Sequence, residues 1–370
     1  MKNPIYIQDY ASVTPLGDAG FSSNKSTISN DSDNFFAAFP KSIDDDLLAL
    51  RKENKKYKNL DKSTLLAIKT ARLLSINDHK AAVNIGSSRG ATHVWEDNYE
   101  RFRESGTLKP QTSPLTTLGN ISSWVAQDLG VNGIAFSHSI TCATASHAIL
   151  NAIAWLESGM ATTFIAGGVE TPLTPFTMAQ MNALKITPTE NAIFPCRALD
   201  MDKQNNTMVL GEAAALFVFS KNKTSQSQLA ITSYGTAIET ISTATSVTET
   251  GDCLLDSMQS CLENMDISTI DAVITHAPGT INGDRAEMNA LQTLFRSKVP
   301  FLCNNKWQLG HSLGASGAVS LAMGAWMLES GNYPEIPYLK QEIPSHKPKR
   351  ILINATGFGG NAVSLLLEKL

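Results

Sequence analysis

The sequence predicts an α/β chain built from one unit used twice, with buried sheets covered by helices. Three echoes carry this reading. The apolar run ending Ala154-Trp155-Leu156-Glu157-Ser158-Gly159 returns as Ala325-Trp326-Met327-Leu328-Glu329-Ser330-Gly331. Residues 81–85 read as a strand entering the turn Gly86-Ser87-Ser88-Arg89-Gly90 and a helix near 96–102. Residues 271–275 repeat that pattern into His276-Ala277-Pro278-Gly279-Thr280 and a helix near 285–295. Each half then closes with two strand-like segments, 163–167 with 213–219 and 351–354 with 362–367. The apolar runs are continuous rather than alternating, which is the pattern of strands covered on both faces. The expected halves are residues 1–220 and 221–370.

From the start of the chain, residues 5–13 read as a strand ended by Pro15-Leu16-Gly17. Residues 22–34 form a polar Ser/Asn/Asp tract and read as a surface loop. The basic cluster Arg51, Lys52, Lys55, Lys56 and Lys58 precedes Asp61, an N-cap for an amphipathic helix over 62–74. On its own, such a charge cluster reads as a solvated face. The apolar segment 133–136 then leads into the small-residue turn Ser139-Ile140-Thr141-Cys142-Ala143-Thr144 and a helix running towards Met160.

Composition narrows the function. The chain has 370 residues, 42% apolar and 17% charged, which is ordinary for a globular protein. A formal net charge of -4 argues against nucleic acid as the main partner. No apolar run reaches the length of a membrane span; the best candidate, 315–328, is short and rich in Gly, Ala and Ser. The N-terminal residues lack the basic and apolar regions of a secretion signal. Cysteines 142, 196, 253, 261 and 303 show no paired spacing, so neither a disulfide framework nor a zinc site is expected. A reducing cytoplasm is the expected setting.

The chemistry gathers at the turns. A cysteine at a helix mouth meets unpaired N–H groups and a partial positive charge, both favouring thiolate. Alone, Cys142 reads as a small buried residue. His311 precedes the second-half counterpart of its helix, and His276 ends the second-half strand whose echo ends at Gly86. Two pseudo-symmetric halves bring such turns to one centre. A cysteine with two histidines suits acyl transfer, one imidazole moving protons while the other stabilises charge.

Five segments, in order, resemble those of a β-ketoacyl-[acyl-carrier-protein] synthase of the Cys-His-His class, which has the thiolase fold. They are Thr141-Cys142-Ala143-Thr144-Ala145; Ala166-Gly167-Gly168-Val169-Glu170 with Pro172; His276 to Glu287; Lys306 to Ala315, which includes His311; and Gly357-Phe358-Gly359-Gly360. The resemblance covers nearly the whole chain and implies a layered αβαβα core. It implies that Cys142 is acylated, with the backbone N–H groups of Cys142 and Phe358 as oxyanion hole. Phe358 is also the implied gate, and Gly357 and Gly359 line its loop. His276 and His311 would hold the malonyl thioester carbonyl during loss of carbon dioxide. Lys306, Asp284 and Glu287 would fix the histidines and their charge. No metal or organic cofactor is implied, since the substrates ride on the phosphopantetheine arm of an acyl carrier protein. A dimer with itself or with a related ketosynthase subunit is implied as well. Lys55, Lys56 and Lys58 precede a helix whose family counterpart contacts the carrier.

The departures touch the arm tunnel. Pro278 stands where the family usually has threonine, so arm binding leans on Thr280. Residues 200–210 replace the usual Asp-x-x-Arg-Asp-Gly-Phe stretch and are about two residues longer, and Asn361-Ala362 replaces Thr-Asn. Met178 falls where many members carry a bulky aromatic that closes the acyl tunnel, and its flexibility would admit longer or unsaturated chains. The resemblance implies fatty-acid or polyketide/pigment-type synthesis, and these changes point to a specialised pigment or polyketide synthase rather than the housekeeping fatty-acid enzyme. The alternatives are a Cys-His-Asn synthase, a thiolase, or a non-catalytic chain-length factor. His311 and the Lys306 segment oppose the first two, and Cys142 opposes the third.

Overall fold

The computed structural model describes residues 3–32, 34–189, 192–225, 227–243, 245–296 and 298–370. Among them, ten strands form one hydrogen-bonded sheet made of two five-strand arrays with the same order. The first array runs Ile5–Val13, Ala213–Ser220, Thr163–Glu170, Ala82–Gly86, Ala135–Phe136. The second runs Leu229–Ile238, Asn361–Lys369, Arg350–Gly357, Ala272–Ile274, Phe301–Cys303. Only Ile5, Tyr6 and Ile7, paired antiparallel with Ile231, Ala230 and Leu229, join them. Within each array the inner hairpin is antiparallel and the outer strands are parallel.

Burial sorts the chain into five layers. Between the arrays lie the helices Thr144–Ser158 and Ser316–Ser330, packed on Phe164, Phe217 and Phe219 from one side and Ile274, Ile353 and Leu365 from the other. The helices Lys41–Glu53, Lys62–Ala71 and Asn120–Leu129 cover the outer face of the first array. Asp252–Leu262 and Ile281–Phe295 cover that of the second. Strands so covered are apolar on both faces: every residue of Ala213–Ser220 is buried. A helix held between two sheets has no polar face to offer, hence the small, apolar composition of Ser316–Ser330. Burial of Leu, Ile or Phe at this depth stabilises by about 1.5–3 kcal/mol per side chain.

Both central helices end on a left-handed glycine, Gly159 (φ 76°) and Gly331 (φ 73°), a conformation that penalises any side chain. Aligning these ends places Ser316 opposite Thr144 and Gly314 opposite Cys142, so the true counterpart of His311 is Ser139, not the cysteine. Asp61 caps its helix through the Ser63 N–H (2.8 Å), and that helix stops at Ala71, three residues earlier than expected.

The tract 22–34 is not a free loop. Ser29–Asn30 pairs with Phe35–Ala37, and Ser26 Oγ and the Thr27 N–H bond the Trp307 and Gln308 carbonyls beside Lys306. Of that tract, Asp33 lies outside the described residues. No helix among the described residues is long and apolar enough to cross a membrane.

Candidate active site

The Cys142 turn begins where the first array's edge strand, Ala135–Phe136, ends. Thr141 holds a left-handed backbone (φ 42°), costly for a β-branched residue, and its neighbours fix it there. Thr144 Oγ donates to the Thr141 carbonyl (2.5 Å) and accepts the Ile140 N–H (2.8 Å), while Thr141 Oγ donates to the Phe358 carbonyl (3.0 Å). Cys142 is thereby presented half-buried, two residues ahead of the helix Thr144–Ser158. Gly357 packs so closely that a Cβ on it would overlap Thr141 Oγ and sit 2.8 Å from the Cys142 amide nitrogen. The glycine loop is therefore seated directly on the nucleophile turn.

The helix mouth, which favours a thiolate, is opposed here by burial. Burial, with Glu170 in support, pushes the Cys142 thiol up to about 12, against the pull of Lys306 and Arg89. Desolvation favours the thiol and so opposes the helix mouth.

His276 follows the strand Ala272–Ile274, and His311 joins the centre through a bridge to Leu210. Their rings meet edge to face, 5.3 Å apart with 82° between planes. Both are buried, and His311 Nδ1 has no hydrogen-bond partner among the described residues. Burial first, then Lys306, holds both histidines well below their ordinary value, and His311 adds to the cost of charging His276. Two neutral imidazoles can each offer one N–H to a carbonyl oxygen.

Glu287 accepts the N–H groups of His276 (3.0 Å) and Ala277 (2.7 Å) and the Asn354 amide (3.1 Å). It therefore fixes the backbone that carries His276. Asp284 accepts the Gly279 and Leu199 N–H groups (2.9 Å each) and pairs with Lys203 at 2.8 Å. Burial raises both carboxyls above their ordinary value. Lys306 is fully buried, and its ammonium bonds neither carboxylate; desolvation lowers it to about 8. The cation paired with Asp284 is Lys203, from the segment that replaces the family's Asp-x-x-Arg stretch. Sequence reasoning missed it because nothing marks one lysine in a polar insertion as buried.

Cys142, His276, His311, Pro278, Thr280, Gly357 and Phe358 line one cavity of about 480 Å³. Thr280 Oγ accepts the Gly283 N–H (3.2 Å) and so caps the helix Ile281–Phe295 while facing the cavity. Phe358 is 37% exposed at the mouth. Gly359, left-handed at φ 95°, shapes the loop but does not line the cavity. Met178 does not line it either. It faces a second cavity of about 570 Å³ with Lys62, His93 and Glu212. Both Cys142 and Met178 pack on the cluster Met181, Met208, Leu210 and Leu313. Lys55, Lys56 and Lys58 sit exposed on the turn after Lys41–Glu53, away from the cavity lining.

Two family models match the chain: the β-ketoacyl synthase N-terminal domain over residues 22–225 and the β-ketoacyl synthase C-terminal domain over 212–339. A 3-oxoacyl-[acyl-carrier-protein] synthase 1 of Buchnera aphidicola subsp. Baizongia pistaciae is 28% identical over 330 residues, covering 82% of this chain and 79% of that one. A 3-oxoacyl-[acyl-carrier-protein] synthase 2 of Staphylococcus aureus is 26% identical over 350 residues, 86% and 84% of the two chains. Among solved structures, a β-ketoacyl synthase of Burkholderia phymatum aligns over the full length of both chains with TM-score 0.86 at 22% identity. The ishigamide ketosynthase/chain length factor does so with TM-score 0.84 at 16% identity.

Proposed function

The chain belongs to the β-ketoacyl synthase family, and from that premise we propose that Cys142 carries the acyl group of a decarboxylative condensation. The enzyme is an acyltransferase, a condensing enzyme of fatty-acid or polyketide synthesis. The observation that carries the residue roles is the single cavity holding Cys142, His276 and His311, with the Gly357-Phe358 loop seated on the Cys142 amide. Cys142 Sγ attacks the acyl thioester, its proton passes to the departing thiol, and an acyl-cysteine remains. A malonyl thioester then enters with its carbonyl facing the two imidazole N–H groups. As the bond to the carboxylate breaks, carbon dioxide leaves and the electron pair becomes an enolate held by those donors. The enolate carbon attacks the acyl carbonyl, the C–S bond breaks, and the Sγ thiolate takes up one proton from solvent. The departing carbon dioxide supplies the driving force, so this scheme uses no cofactor of its own.

We assign the substrates to the arm of an acyl carrier protein, with Thr280 and the cavity mouth as its entry. The exposed Lys55, Lys56 and Lys58 supply positive charge for an acidic carrier. A second thiolase-fold chain, of its own kind or a related subunit, is proposed as partner. Two features support it: the edge strand Ala135–Phe136, and the helix Thr92–Ser105, which buries no residue and exposes Trp95, Tyr99 and Phe102. A chain-length factor generally lacks the cysteine, so Cys142 with both histidines favours the catalytic role.

The test is direct. Incubation with an acyl-carrier thioester should add the acyl mass to Cys142, and Cys142→Ala should abolish condensation with the fold intact. His276→Ala and His311→Ala should reduce carbon dioxide release from malonyl-carrier protein more than Cys142→Ala does. Condensation retained without Cys142 refutes the assignment.

A further inference from the structure

The duplication poses a question at the second copy of the nucleophile turn. The strands Thr163–Glu170 and Arg350–Gly357 occupy equivalent places, so Glu170 is the counterpart of Gly357, as Gly314 is of Cys142. In the first copy Gly357 leaves room beside the Cys142 amide. In the second, the Glu170 carboxylate fills that room. Its Oε2 accepts the Gly314 N–H (2.9 Å), the Ser88 N–H (2.8 Å) and Ser88 Oγ (2.5 Å). Its Oε1 accepts Ser87 Oγ (2.7 Å) and the Arg89 N–H (3.1 Å).

We propose that Glu170 is a positioning residue for the condensation: its carboxylate plugs the second-half counterpart of the oxyanion site and locks the His311 loop against Cys142. The loop needs such a lock. Between His311 and Gly314, Leu313 holds a left-handed backbone (φ 39°), as Thr141 does beside Cys142. A branched residue keeps that conformation only when its surroundings impose it. Leu313 also belongs to the apolar cluster on which Cys142 packs, so slackening the loop moves both the imidazole and that cluster. Gly314 is required by closeness rather than by its φ. A Cβ there would lie 2.5 Å from the Ser88 nitrogen and 2.6 Å from Glu170 Oε2. Glu170 touches no substrate; it acts through Gly314 and Ser88. Burial raises its carboxyl above the ordinary value, while the Ser87, Ser88 and Arg89 donors favour the charged form, which acts on the Cys142 thiol.

The test is Glu170→Gln. Whichever way the amide turns, its NH₂ faces N–H donors, so one end of the lock is broken and the charge is lost. Condensation by the folded variant should fall roughly ten- to hundredfold. A second readout separates positioning from bulk structure: the pH profile of Cys142 alkylation by iodoacetamide. The groups that act on this thiol are Glu170, Lys306 and Arg89, with His276 and His311 lining the same cavity. Losing the one anion should move the profile to lower pH. If Glu170→Gln does not fold, Ser88→Ala and Gly314→Ala serve on the same enzyme, and condensation should fall at least fivefold in Gly314→Ala. Unchanged condensation, or an unmoved alkylation profile in folded Glu170→Gln, overturns the proposal. The inference rests on the condensing role, but the alkylation profile needs no acyl substrate. A wild-type enzyme that fails to condense while Glu170→Gln shifts the profile would refute that role alone.

Discussion

Lys203→Met removes the cation bonded to Asp284 and leaves a carboxylate with no exposed surface. Breaking a buried ion pair from one side costs about 3–5 kcal/mol, because the remaining charge is unpaired in a poorly solvating interior. Asp284 keeps the Gly279 and Leu199 N–H bonds, which places the loss near the lower end, about 3 kcal/mol. For a chain of 370 residues that corresponds to a melting point lower by roughly 4 °C. The sign with pH is fixed by linkage. Burial already raises the Asp284 carboxyl in the folded state, and without Lys203 it rises further. A folded-state value above the unfolded one means the folded chain binds the proton more tightly. The penalty is therefore full above the raised value and shrinks by about 1.4 kcal/mol for each pH unit below it. Urea or thermal melts of wild type and Lys203→Met at pH 5.5 and 8.0 measure this. The variant should lose most at pH 8.0, and the gap should narrow at pH 5.5. An equal gap at both values, or one under about 1 kcal/mol, refutes the reasoning, since a surface pair would behave that way.

Gly357→Ala should cut condensation by an order of magnitude or more, because its Cβ displaces Thr141 or the Cys142 amide; single-turnover acylation of Cys142 measures it. Reversing Lys55, Lys56 and Lys58 to Glu should raise the KM for carrier-bound acyl groups several-fold, and more so at low salt, with little change for small thioester mimics. An equal response of both substrates would make the cluster a solvated face.

What the sequence disclosed follows from how local each signal is. The duplicated helices are legible because an apolar run closed by a left-handed glycine is a short-range pattern. The two histidines are legible because they flank turn residues. The strand Leu229–Ile238, counterpart of Ile5–Val13, went unread: its Thr, Ser, Tyr and Gly residues break the apolar run, and its far end is partly exposed. The tunnel residue shows another limit. Met178 and Met181 lie three positions apart on the helix Pro175–Ala183, about 60° apart around its axis, and only packing reveals which is buried. Met181 lies in the cluster on which Cys142 packs, whereas Met178 faces the second cavity. Charged residues were the least legible, because the partner that permits burial, such as Lys203 for Asp284, is distant in sequence.

Those buried charges also explain how a symmetric scaffold makes a one-sided site. Two equivalent turns approach each other between the arrays, each with amides aimed at the end of a neighbouring strand. An acyl oxygen can use only one such set, and the other, left empty, would hold unsatisfied buried donors at a cost of about 1–3 kcal/mol each. At the first-half turn, Gly357 from the second array leaves the space open beside a cysteine. At the second-half turn, Glu170 from the first array fills it, and the cysteine's place passes to Gly314, which makes room for the carboxylate. The same exchange leaves the second loop carrying His311 instead of a cysteine. The asymmetry of the chemistry is thus written in one glycine and one glutamate at matching positions, while the surrounding strands remain alike.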